Sequence, residues 1–122
     1  MPKPQTPKEV SAIFIIADIS GYTRFMIQHK EELYHAQVII SELLHALLKP
    51  VKIPIKVAEI EGDAVFLYAI KNAKTWEKDR ARIGTVLESL FAGFYGKIEQ
   101  LVKVNNCVCG MCSRVQDLNL KI

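Results

Sequence analysis

The sequence predicts an α+β domain, a sheet with helices packed against it, in the order β-α-β-β-α-β. Three observations predict it. An Ile-rich apolar run over residues 12–17 ends in Asp18. Two further apolar runs flank Glu61-Gly62-Asp63, the pattern of a hairpin. Two long stretches carry apolar residues at i, i+3, i+4 spacing, the pattern of amphipathic helices. This order is that of the ferredoxin-like split β-α-β sandwich, which sets the first strand beside the hairpin.

The bulk composition bounds the answer. The chain has 122 residues, of which 50% are hydrophobic and 24% charged, enough for one domain with its own core. The net charge is +3, with Lys and Arg spread along the chain, so no nucleic-acid footprint is indicated. No apolar run approaches the roughly 18 residues of a membrane helix. Residues 1–10 are polar and Pro-rich, a flexible tail without the apolar centre of a signal peptide. The expected domain is therefore 11–122, with cytoplasmic residence and no membrane or nucleic-acid partner.

Taken in order, the first run reads as a strand buried on both faces, because it shows no alternation. Asp18 stands at its carboxyl end, and Ser20-Gly21 turns the chain into a helix over 21–48. Ala36, Ile39, Ile40, Leu43, Leu44 and Leu47 form the stripe of that helix, and Pro50 ends it. Residues 51–60 read as a strand with Pro54 at an edge or bulge. Residues 64–70 complete the hairpin, and Phe66 and Tyr68 share one of its faces, core or interface. A second helix runs from Trp76 to Val104. Gly84, Gly93 and Gly96 weaken it by about 1 kcal/mol each relative to Ala, in exchange for close packing on the sheet. Residues 107–117 read as a loop, and 118–122 as the start of a last strand.

Two groups of residues carry chemistry. Asp18 and Asp63 are placed at adjacent strand ends by this topology. Two carboxylates so placed bridge one or two Mg2+ or Mn2+ ions, which in turn hold a triphosphate. The residues alone leave open that Asp18 caps a helix and Asp63 is a turn aspartate. The second group is Cys107, Cys109 and Cys112, three thiols within six residues. An odd number so closely spaced is not a disulfide framework. It offers three ligands to Zn2+ or an iron-sulfur cluster, with a fourth not evident nearby, or else three reduced thiols in a loop.

Asp18-Ile19-Ser20-Gly21-Tyr22-Thr23 after an apolar strand resembles the first metal motif of the class III adenylyl/guanylyl cyclases. Glu59-Ile60-Glu61-Gly62-Asp63-Ala64 resembles their second, and one long helix separates the two motifs as in that family. Together with the cysteine cluster, the combination is similar to a family of uncharacterised bacterial proteins, a domain of unknown function that is itself cyclase-like. The resemblance implies that Asp18, Asp63 and the Ile19 carbonyl hold metal. It implies that the amides of Gly21, Tyr22 and Thr23 cradle phosphate, and that Glu59 reads the base of a purine nucleoside triphosphate. A carboxylate there suits guanine. The alternative for Glu59 is an ordinary solvent-facing strand residue.

The departures from the cyclase pattern are equally specific. The asparagine and arginine that stabilise the cyclase transition state lie beyond the fourth strand and are not recognised in this chain. The resemblance therefore implies a domain truncated on its C-terminal side, with weak or no cyclase activity. The alternative is a non-catalytic cyclase-fold module for ligand binding or dimerisation, with the cysteine loop as a metal staple. Glu61 is an unusual charge where cyclases place an apolar residue. In the family the site forms between two subunits, and both hairpin faces here are apolar, so a homodimer is expected.

Overall fold

A computed structural model describes residues 7–21, 33–104 and 115–122. Within them lie β1 (Ala12–Ser20), α1 (Leu33–Leu48), β2 (Lys56–Glu61), β3 (Ala64–Ile70), α2 (Trp76–Val104), a 3-10 turn (Val115–Asp117) and β4 (Asn119–Lys121). The four strands form one antiparallel sheet in the order β2-β3-β1-β4. The fold is thus α+β, with β1 held between the hairpin and the last strand.

Both helices pack on the same face of that sheet. Ile15, Ala17 and Ile19 of β1 and Val65, Leu67 and Ala69 of β3 are buried there against Leu43 and Leu47 of α1 and Val86, Leu90 and Phe94 of α2. Burying each large apolar side chain contributes about 1.5–3 kcal/mol. Glycine matters at one helix contact. A Cβ on Gly93 would meet the Ala46 carbonyl at 3.3 Å, so its hydrogen lets α1 and α2 approach closely. The close packing is helix on helix rather than helix on sheet, and a Cβ at Gly84 or Gly96 would meet open space. Across the same pair, Lys97 reaches Glu42 at 2.9 Å.

None of the described helices lies on the opposite face of the sheet, which corrects the expectation that β1 is buried on both faces. Phe14 is 75% exposed and Ile16 49%, although both lie in a central strand. Their cross-strand partners are Tyr68 and Phe66. The lack of alternation in 12–17 reflects an apolar face that the described residues leave exposed at Phe14 and Ile16.

The strand expected over 51–60 is shorter than its apolar composition suggests. It starts at Lys56. Before it the chain turns, with the Val51 amide donating to Leu48 at 3.2 Å and the Ile55 amide to Lys52 at 2.9 Å. Pro54 has no amide to give a ladder, and it lies in this turn. Ala58 is the extra residue of a bulge, because Val57 pairs with Leu67 while Glu59 pairs with Phe66. The second helix has the expected bounds, and Trp76 anchors its start, packed on the core with the Lys71 ammonium 5.2 Å from its ring centre. Of the helix expected over 21–48, the part from Leu33 is described and helical. At the other end of the sheet, Tyr95 of α2 ties down β4: its hydroxyl accepts the Leu120 amide at 3.2 Å.

Candidate carboxylate site at the hairpin turn

The site begins with the register of β1. Asp18 is opposite Ala64 on β3 and opposite Lys121 on β4. It lies inside the strand rather than at its carboxyl end, since β1 continues to Ser20. Beyond Ala64 the partner strand has already turned. Gly62 has φ +60 and Asp63 is not in the positive-φ region. That pattern at a two-residue connection is a type II′ turn, which needs glycine first. The β1 ladder still finds a partner there: the Ile19 amide donates to the Asp63 carbonyl at 3.0 Å.

Asp18 and Asp63 are thereby brought to one corner of the sheet. The Asp63 carboxyl is held above the usual aspartate range. Burial is the main cause, and the Asp18 charge beside it pushes the same way, while a hydrogen bond from its own backbone pulls partly back. Ile19 adds a backbone group. In an extended strand the N–H and C=O of one residue leave on the same edge, so its carbonyl faces the hairpin. Two half-buried carboxylates and a carbonyl suit a hard divalent cation that completes its shell with water or phosphate oxygens. Among the described residues no group of three or more His, Cys, Asp or Glu is assembled as a metal cage.

The other expected residues divide. Gly21 follows directly, with φ +91, and a Cβ there would come to 3.6 Å from the Asp117 carbonyl. Tyr22, Thr23, Cys107, Cys109 and Cys112 lie outside the described residues. Glu59 is exposed on β2 and paired with Phe66, so it faces the open side of the sheet one strand beyond β3.

One residue of this corner, Lys121, escaped the sequence reading, and Glu61 was read there only as an unusual charge. Glu61 pairs with Ala64, which itself pairs with Asp18, and Asp18 pairs with Lys121. Glu61, Ala64, Asp18 and Lys121 therefore make one row across all four strands, spaced about 4.8 Å from strand to strand. Lys121 places a cation next to the carboxylates without reaching ion-pair distance of either. The unusual charge of Glu61 was a signal; the position of Lys121 depends on the β1–β4 register and leaves no local mark.

Residues 40–122, about two thirds of the chain, match the family described as Protein of unknown function (DUF2652). The matched span holds Glu59, Asp63 and Lys121, and Asp18 precedes it. No curated protein and no solved structure matches the chain. No helix among the described residues is long and apolar enough to cross a membrane.

Proposed function

The chain belongs to the DUF2652 family, and we propose that it is a cyclase-like domain that binds a divalent cation and a purine nucleoside triphosphate at Asp18 and Asp63. The observation that carries this reading is the meeting of the two carboxylates at the hairpin turn, with Asp63 raised in part by the Asp18 charge. Like charges brought together need a cation between them to be stable while ionised. Mg2+ or Mn2+ supplies it, and the same ion draws phosphate oxygens. The strand order β2-β3-β1-β4 supports a ferredoxin-like reading of the fold.

In this reading Asp18, Asp63 and the Ile19 carbonyl hold the metal. Gly21, Tyr22 and Thr23 contribute amides to the phosphates, and Glu59 selects guanine. Zn2+ at Cys107, Cys109 and Cys112 is a separate staple, and the protein works in the cytoplasm. Cyclisation needs charge neutralisation at the α-phosphate beyond the metal. Lys121 is the described cation nearest in register to Asp18; in this reading activity is weak or absent and binding is the main property. Titration calorimetry with Mn2+ and GTP tests this: the unmutated chain binds, and Asp18→Asn and Asp63→Asn do not. No heat from the unmutated chain with either metal ends the reading.

A second reading follows from the open sheet face. Phe14 and Ile16, backed by Phe66 and Tyr68, form an apolar strip on the central strands. Such strips mark association surfaces. The occupant in this reading is a second copy, giving a homodimer that serves as a binding module whether or not it turns over nucleotide. A monomer by light scattering well above micromolar concentration would sink it.

A further inference from the structure

β2 is an edge strand, paired with β3 on one side, and all of its residues are exposed. Among the described residues no backbone group bonds to its outer side. Residues paired across an antiparallel ladder share a face. Lys56, Glu59 and Glu61 are opposite Tyr68, Phe66 and Ala64, so they stand on the open face of the sheet. Val57 and Ile60 are opposite the core residues Leu67 and Val65, so they stand on the helix face. In a regular strand of this length the first and last side chains leave on opposite faces. The extra residue at Ala58 brings Lys56 and Glu61 onto the same one.

The backbone follows the same register. Glu61 and Ala64 flank the two-residue turn and direct their N–H and C=O groups at each other. Along the ladder such pairs alternate with pairs whose groups point away. That leaves the N–H and C=O groups of Ile60 and Val57 pointing out of the sheet. The two side chains are 48% and 45% exposed although they lie on the apolar face. Ile60 also lines a groove with Leu44 and Leu48 of α1, so the apolar surface continues from strand to helix. An apolar edge with free backbone groups is a template for another strand.

We propose that this edge pairs with β2 of a second copy, antiparallel about a two-fold axis, so that the two sheets become one. With the axis between Ala58 and Glu59, each Lys56 meets Glu61 of the other copy and each Val57 meets Ile60. The outward N–H and C=O groups of Val57 and Ile60 then bond to one another. One register thus matches charge, apolar side chains and backbone groups at once. Among the described residues neither Lys56 nor Glu61 has an ion-pair partner within its own chain. The bulge selects the occupant. Ala58 and Glu59 both lie between the outward-pointing residues, where a regular strand has a single residue. An ordinary strand therefore falls out of step, and a second β2 carries the same insertion. The contact goes beyond the cation and nucleotide reading and uses neither Asp18 nor Asp63. It is also separate from the open-face strip of Phe14 and Ile16.

The test uses the full chain, with light scattering over a concentration series and amide hydrogen exchange. The unmutated chain associates. Lys56→Glu and Glu61→Lys each weaken association by about tenfold or more, since each sets like charges opposite one another on both sides of the axis. An equimolar mixture of the two variants restores it, because each copy then meets the opposite charge. Both positions are exposed, and circular dichroism checks that the variants fold. Exchange at the Val57 and Ile60 amides slows as concentration rises, while the Glu61 amide, which faces β3, changes little. Packing through the open face alone does not give that pattern. A monomeric chain overturns the proposal. So does a mixture that associates no better than either variant, or exchange at Val57 and Ile60 that is independent of concentration.

Discussion

The Ile19 amide and the Asp63 carbonyl, 3.0 Å apart, couple the central strand to the hairpin turn. The bond is made one residue before the start of β3, so the turn acts as an extension of the strand. Asp18 precedes Ile19, and the Asp63 carboxyl springs from the same residue as the acceptor. Moving either segment breaks a backbone hydrogen bond as well as separating two side chains.

The raised carboxyl of Asp63 sets the sign of two pH effects. Its folded-state value lies above its unfolded value. Folded protein therefore holds the proton to higher pH, and the stability this gives is lost as pH rises from the ordinary aspartate range through the raised value. In EDTA, Asp63→Asn is expected to raise Tm at neutral pH. Metal binding has the opposite demand, because the carboxylate must be ionised. Mn2+ affinity falls as pH drops through the raised value, and it falls at higher pH than an unperturbed aspartate would give. Thermal melts with and without Mn2+ over a pH series check both.

At saturating metal the same melts give a magnitude. A cation at 100 times its dissociation constant stabilises the folded state by about 2.7 kcal/mol. Asp18→Asn removes that increment. A variant retaining the whole increment would place the ion elsewhere.

Gly62 carries the turn that presents Asp63. A Cβ there meets no atom within 4 Å, so space is not the obstacle; φ of +60 is. Gly62→Ala is expected to cost about 1–2 kcal/mol, the cost of a left-handed backbone for an L-residue. Urea denaturation measures it. Mn2+ affinity falls with it, since the turn that sets Asp63 relaxes.

Two phenylalanines separate core from surface. Phe94 is fully buried between the helices and the sheet, so Phe94→Ala should cost about 3–5 kcal/mol by urea denaturation. Phe14→Ala at the open face should change monomer stability by no more than about 0.5 kcal/mol. Phe14→Glu, by contrast, removes the proposed association through the open face, read by light scattering, without loss of helical signal.

What could be read from the chain was what its local spacing encodes. The stripe through Leu43 and Leu47 and the bounds of the second helix follow from period alone. So do the hairpin and the last strand. The joining of Asp18 to the turn needed only the strand order. What escaped depends on distant partners. Nothing near Phe14 and Ile16 says which face the helices take. The bulge at Ala58 shows only against Leu67 and Phe66. Lys121 joins the acidic corner through its pairing with Asp18, and the burial of Asp79 leaves no mark in a first turn that also carries Glu77.

The position of β1 between β3 and β4 has a consequence for how the molecule is made. A growing chain can pair β1 with the hairpin once residue 70 is out, but the other edge of Asp18 to Ser20 waits for Asn119 to Lys121. Contacts of such sequence separation close late and carry the largest loop entropy. The acidic corner is then assembled after the core. Refolding followed at Ile15 should run ahead of refolding followed at Asp18, with a lag set by the docking of three residues.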